Sequence, residues 1–160
     1  MIVLGIDPGI GRMGWGVIAT SPAEKMLDYG CIETDIGNEP KRLLVLAIEL
    51  RKIIAEYRPA YIAIEQLFFS RNVTTAMSVS QARGVALMVS AEFSIPTIDI
   101  SPSKVKSVMG GGALKKRDIQ ILIQKQLKLV ELPQPDDAAD ALAIALAGAA
   151  EVRWNKLIKS

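Results

Sequence analysis

The stretch "QPDDAADALAIALAGAA", Gln134 to Ala150, constrains this chain more than any other. Past its leading acids it is almost wholly alanine, leucine and isoleucine. Alanine and leucine are strong helix formers, and a helix that is apolar around its whole circumference is buried on nearly all sides. Yet the run carries Asp136, Asp137 and Asp140. Asp136 is the expected N-cap, and acids in a first turn suit the helix dipole. Asp140 lies about a turn further in, where that account is weaker. A buried carboxylate needs a partner.

The rest of the sequence supplies the layers around that helix. "MIVLGID" is mostly apolar, as in a buried strand. "PGIGRMG" is a turn in which Gly9, Gly11 and Gly14 are expected to allow unusual backbone angles. "WGVIAT" and "LDYGCIETD" follow as strands, so the three form an antiparallel meander. The period then changes. Leu43, Leu46, Ala47, Leu50, Ile53, Ile54 and Tyr57 recur at helical spacing, and Arg58-Pro59 closes that helix. "AYIAIE" is a fourth strand ending at Glu65, and a helix capped by Asn72 runs to about Glu92. "IPTIDI" is the fifth strand. Ser101-Pro102 opens a short helix through Lys106, as an N-cap followed by proline. A glycine break at 110–112 precedes a basic amphipathic helix. The order predicts an α/β fold: a mixed five-stranded sheet, three antiparallel strands then two parallel, with helices on both faces. Right-handed crossovers place the strand ending at Asp7 beside the strand ending at Glu65. No repeat or linker divides the chain, so residues 1–160 read as one domain with a tail at about 151–160, which is either a helix end or an auxiliary DNA or partner contact.

Composition excludes several chemistries. There is no histidine, so Ser-His-Asp and Cys-His catalysis are absent, as are histidine-containing zinc sites. The single cysteine, Cys31, allows no internal disulfide. No secretory signal is visible and no run suits a bilayer, so a reducing cytoplasm is the expectation. Seven of the Lys/Arg residues and one acid fall between Lys104 and Lys128, a local charge of +6 in a chain of net +2. That segment is a polyanion-binding face or a solvated helix surface.

Asp7 and Glu65 stand at the carboxyl ends of strands expected to be neighbours, where open α/β sheets bind ligands. Asp137 and Asp140, three apart, share one face of the last helix. Four converging carboxylates without histidine suit Mg²⁺ or Mn²⁺. Such a set can hold two ions ~4 Å apart, the arrangement for phosphodiester cleavage, although acids at strand ends are common in other enzymes too. Metal would also offset the repulsion between clustered acids and phosphate, while the basic segment holds the flanking backbone.

The motifs "GIDPGIGRMGWGV", "AIEQLFFSRN", "QARGVAL", "SPSKVKSVMGGG" and "DDAADALAIA" occur in this order, and the chain from Met1 to about Ala150 closely resembles the bacterial RuvC Holliday-junction resolvases. The resemblance implies a ribonuclease-H-like fold. It implies a homodimer that nicks four-way DNA junctions symmetrically with two Mg²⁺ ions per active site, and RuvA and RuvB as branch-migration partners. It assigns metal binding and catalysis to Asp7, Glu65, Asp137 and Asp140. Its active-site lysines map to Lys106 and to Lys116, with Lys115 or Arg117 as alternatives to the second because the glycine loop is a residue short. Some members carry histidine where this chain has Asp137. An aromatic three residues after the glutamate, Phe68 here, stacks on a base at the junction, a contribution of ~1–3 kcal/mol, and the neighbouring Phe69 shares or takes that role. Arg71, Lys104, Lys106, Lys115, Lys116 and Arg117 are the remaining expected DNA contacts. Arg12 is read as a phosphate contact or plain surface, Trp15 as packing, and Gln81 and Arg83 receive no role. The competing classes are an ATP-binding fold of the actin and sugar-kinase type, a junction-binding module without catalysis, and a ribonuclease of the same superfold.

Overall fold

The computed structural model describes residues 1–35, 37–67 and 73–158, leaving aside the side chains of 73–75. Strands β1 (Ile2–Asp7), β2 (Arg12–Ala19) and β3 (Lys25–Glu33) form an antiparallel meander. Helix α1 (Glu39–Tyr57), strand β4 (Tyr61–Glu65), helix α2 (Val73–Glu92) and strand β5 (Thr97–Ile100) follow. Three helices close the chain: α3 (Pro102–Val108), α4 (Lys116–Leu127) and α5 (Asp136–Ile158). The sheet order is β3-β2-β1-β4-β5, with β1–β4 and β4–β5 parallel. The expected mixed sheet with helices on both faces is therefore present.

Local chemistry sets the ends of the elements. Asn38 caps α1 by accepting from the Lys41 N–H, and Arg58 ends it in the left-handed conformation with its N–H on the Ile54 carbonyl. Ser101 caps α3 through the Lys104 N–H, with Pro102 at the first helical position. Gly110, Gly111 and Gly112 all have positive φ (117°, 75° and 82°), so the break between α3 and α4 requires glycine.

Each face of the sheet carries its own core. Leu4, Ile6, Val17, Ile62 and Ile64 pack against Leu46, Leu50 and Ile54 of α1 and Ala82, Ala86 and Val89 of α2. On the other face Val3, Ile18 and Ala63 meet α5, and α3 and α4 cover α5 through Val105, Met109, Ile123 and Leu127. From Ala141 to Ala149, α5 is buried at every position. The helix continues unbroken to Ile158.

Two sequence expectations change. Gly9, Gly11 and Gly14 do not adopt left-handed angles. Gly14 lies inside β2, where a methyl would overlap the Asp137 carbonyl oxygen. Its lack of a side chain serves a close approach instead of a turn. Asp136 is not the N-cap of α5 but its first helical residue. The Pro135 carbonyl accepts from the N–H groups of Ala138 and Ala139, and the Asp136 carboxylate is drawn sideways to α4.

Candidate active site

Successive side chains of a strand point to opposite faces. Along β1, Leu4 and Ile6 enter the α1–α2 core, while Val3, Gly5 and Asp7 face α5. Along β4, Ile62 and Ile64 do the former and Ala63 and Glu65 the latter. The parallel register pairs Ile6 with Ile64, so Asp7 and Glu65 end adjacent strands on the same face. The first turn and a half of α5 lies over them and brings in Asp137 and Asp140. The sheet, not the loops, fixes two of these acids, and one helix fixes the other two.

Their electrostatics show mutual strain. The Asp7 carboxyl is pushed up from 3.8 to about 7 by burial first, and then by the charges of Glu65, Asp140 and Asp137, with Lys116 opposing. Glu65 is raised by burial and by Asp140, against a hydrogen bond with Asp7. Asp140 is raised by burial, against its hydrogen bond with Lys116. Burial disfavours ionisation and so does a like charge nearby. The cluster thus holds more negative charge than its surroundings neutralise.

Two cations approach it. Lys116 Nζ is 3.0 Å from Asp140 Oδ2 and 3.5 Å from Asp136 Oδ2. Arg12 Nε is 3.1 Å from Asp137 Oδ2, and its Nη2 is 3.6 Å from Glu33 Oε1. With Asp137 and Asp140 turned to these cations, no three acids among the described residues stand in a ready-made metal-binding arrangement. Lys106 joins the site from the other side. It lines a cavity of about 150 Å³ together with Glu65, Asp140, Val105, Ile119 and Ile144.

Of the remaining sequence expectations, Lys115 and Arg117 flank Lys116 as exposed residues at the start of α4. Three cations at a helix N-terminus oppose the dipole, so helix stability does not account for them. Lys104 stands apart. Its Nζ is 2.6 Å from Glu151, well down α5 from Asp140. Phe68, Phe69, Arg71 and the cap Asn72 lie outside the described residues. Trp15 packs in the α1-side core with its ring centroid 6.3 Å from that of Tyr57, as expected of a packing residue. Gln81 and Arg83 now have contacts: the Gln81 amide donates to Glu39 (2.6 Å) and Arg83 to Asp99 (2.5 Å). Sequence reasoning missed Gln120, which is buried on α4 and donates to Asp136 Oδ1 at 2.8 Å. Its only signal was a polar residue on the apolar stripe of α4.

Comparison with known proteins gives the family and the fold. Residues 3–148 match the family profile described as crossover junction endodeoxyribonuclease RuvC. The crossover junction endodeoxyribonuclease RuvC of Thermomicrobium roseum is 44% identical over 149 residues, 91% of each chain. That of Pseudothermotoga lettingae is 46% identical over 148 residues, again 91% of each. Among solved structures, Thermus thermophilus RuvC in complex with a Holliday junction substrate superposes with a TM-score of 0.88, at 31% identity over 96% of each chain. This chain belongs to the RuvC family of crossover junction endodeoxyribonucleases.

Proposed function

We propose that this chain resolves four-way DNA junctions by paired, symmetrical phosphodiester hydrolysis that leaves ligatable 5′-phosphate and 3′-hydroxyl ends, in recombination and repair. The observation that carries this reading is the convergence of Asp7, Glu65, Asp137 and Asp140 at the carboxyl ends of β1 and β4, with Asp7 raised to about 7 by burial and its acidic neighbours. An acidic cluster facing phosphate suits cleavage and not mere binding.

The residues fit a divalent cation. Their donors are all hard carboxylate oxygens, and the unneutralised charge at Asp7 calls for a positive ion. Asp7, Glu65, Asp137 and Asp140 would hold Mg²⁺, two ions per site, with Mn²⁺ as substitute. Bound there, the metal supplies an activated water and stabilises the leaving oxygen. The chain's own groups do the rest. Lys106, on the cavity wall beside Glu65 and Asp140, places a cation against the scissile phosphate. Lys116 can move between Asp140 and the developing phosphate charge. Lys115 and Arg117, exposed next to it, hold the flanking backbone, and Lys104 reaches the same strand further out. Phe68, Phe69 and Arg71 follow Glu65 closely in sequence and are assigned to the junction centre.

Paired nicks require two active sites, hence a homodimer. The exposed Leu44 and Ile48, one turn apart on α1, support a covered outer face there. RuvA and RuvB are the expected partners. Residues 1–160 act as one nuclease domain in the cytoplasm, and no described helix is long and apolar enough to cross a membrane.

The test is cleavage of a synthetic mobile four-way junction in Mg²⁺ beside linear duplex and an RNA–DNA hybrid, with Asp7→Asn alongside. Symmetrical ligatable nicks confined to the junction, lost in Asp7→Asn while binding persists, are expected. Binding without cleavage in Mg²⁺ or Mn²⁺ would replace the reading with a junction-binding module, and cleavage of the hybrid alone with a ribonuclease.

A further inference from the structure

We infer that Asp136 and Gln120 form a positioning pair that holds Lys116 over Asp140, so that α4 delivers its lysine to the acids only when this pair is intact. The inference rests on the proposed nuclease reading and on Lys116 acting in it.

The geometry begins with how α4 is attached. Three consecutive positive-φ glycines precede it. Such a connection does not fix the direction of the following helix. Side-chain contacts with α5 must do so instead. The apolar ones, through Ile119, Ile123 and Leu127, run along α4 and are non-directional, so they do not fix where a polar side chain points. Near its start the polar ties all run to two residues of α5: Lys116 to Asp140 and Asp136, and Gln120 to Asp136. Lys116 and Gln120 are four apart, one above the other on the same helical face. Asp136 therefore bridges two successive positions on the α4 stripe, one oxygen to each.

The two ends of this bridge differ in kind. The Lys116 ion pairs are half-exposed, with the lysine side chain 52% and Asp136 54% accessible. Exposed pairs of this sort stabilise little, so they do not explain why a lysine is placed against the helix dipole. Gln120 is 5% exposed. A buried amide that loses its acceptor carries the full desolvation penalty. Gln120 is thus the fixed end and Lys116 the mobile one: the buried bond locks the Asp136 carboxylate, and Asp136 then steers the lysine. Asp136 touches neither phosphate nor acid cluster in this scheme. It acts through Lys116.

The experiment is single-turnover junction cleavage by the full-length protein in saturating Mg²⁺, in a double-mutant cycle. Asp136→Asn, Gln120→Leu and Lys116→Ala are made singly, with Asp136→Asn/Lys116→Ala and Gln120→Leu/Lys116→Ala as doubles. Urea midpoint and junction affinity are measured for each. Misplacing a reacting group by about an ångström lowers rate up to ~100-fold, so each positioning variant is expected to slow cleavage about tenfold with affinity and midpoint nearly unchanged. Neither should slow it further once Lys116 is alanine. Asp136→Glu should restore most of the rate. If either positioning variant slows cleavage equally with and without Lys116, it acts on something else and the inference falls. It also falls if both cleave at the parent rate, or if Lys116→Ala is silent. Failure of the parent protein to cut any junction would instead refute the nuclease reading beneath it.

Discussion

Replacing Asp7 with asparagine removes a carboxylate strained by burial and by its acidic neighbours, and should stabilise the metal-free protein. The Asp7 carboxyl is raised from 3.8 to about 7 in the fold, burial being the largest cause. At 1.36 kcal/mol per pH unit that difference corresponds to roughly 4 kcal/mol. The sign follows from proton binding. Between the two values the folded chain keeps a proton that the unfolded chain has lost, so stability falls as pH rises. The protonated carboxyl's contribution is complete below about 4 and gone above about 7. Asparagine has the same shape and never ionises. In EDTA at pH 8.5, Asp7→Asn should therefore be more stable than the parent by about 2–4 kcal/mol, the lower figure allowing for imperfect amide hydrogen bonds. At pH 4 the two should nearly coincide.

The assay is urea unfolding at both pH values, with slopes compared to confirm that the same surface is exposed. Adding Mg²⁺ at pH 8.5 should raise the parent and leave the variant nearly unmoved, because an ion that binds only the folded state stabilises it. A variant less stable than the parent at pH 8.5 in EDTA would refute the reasoning, since the protein alone would then satisfy the carboxylate.

Other substitutions test the packing beneath the site. Asp140→Asn should abolish cleavage yet unfold no earlier than the parent in EDTA at pH 8.5, because burial raises its carboxyl too; a clear loss of urea midpoint would make that acid structural. Gly148→Ala should destabilise by about 1–3 kcal/mol through overpacking although alanine is the better helix former, because its methyl would meet Ala63 Cβ at 2.5 Å. Gly84→Ala, exposed on α2 with nothing within 4 Å, is the control and should stabilise by up to ~1 kcal/mol. Leu142→Ala, fully buried against Gly16, should cost about 2–5 kcal/mol in the same unfolding assay.

Much of this could be read from the residues. The change from strand-like runs to the helical spacing of Leu43 through Tyr57 gave the element order, and right-handed crossovers placed Asp7 and Glu65 together at the carboxyl ends of neighbouring strands. Asp137 and Asp140 followed from helical spacing. What could not be read were contacts made by side chains far apart in sequence. Arg12 was legible as a cation but not as the partner of Asp137, because nothing local records that β2 passes beneath the start of α5. Gln120 was passed over, because its acceptor Asp136 lies on another helix. Asp136 was misread for the same reason: an acid before an apolar run has the local signature of a cap, and a partner on another helix outweighed it.

The glycines join the fold to the chemistry. Gly14 was taken for turn flexibility, yet it and Gly5 and Gly16 leave the α5 face of β1 and β2 without side chains where the helix crosses. The helix answers with Ala138, Ala141 and Ala145, and with Gly148 against Ala63. Backbone thus rests almost on backbone. Long side chains between two layers can change rotamer and let the layers slide, whereas contacts of this kind permit little adjustment. The separation between the acids on the strands and the acids on α5 is set by that seat. The run from Ala138 to Ala150 is therefore apolar to be buried, but small at Ala138, Ala141, Ala145 and Gly148 so as to hold Asp137 and Asp140 at a fixed height over Asp7 and Glu65. A cluster of mutually repelling carboxylates would otherwise push its two layers apart.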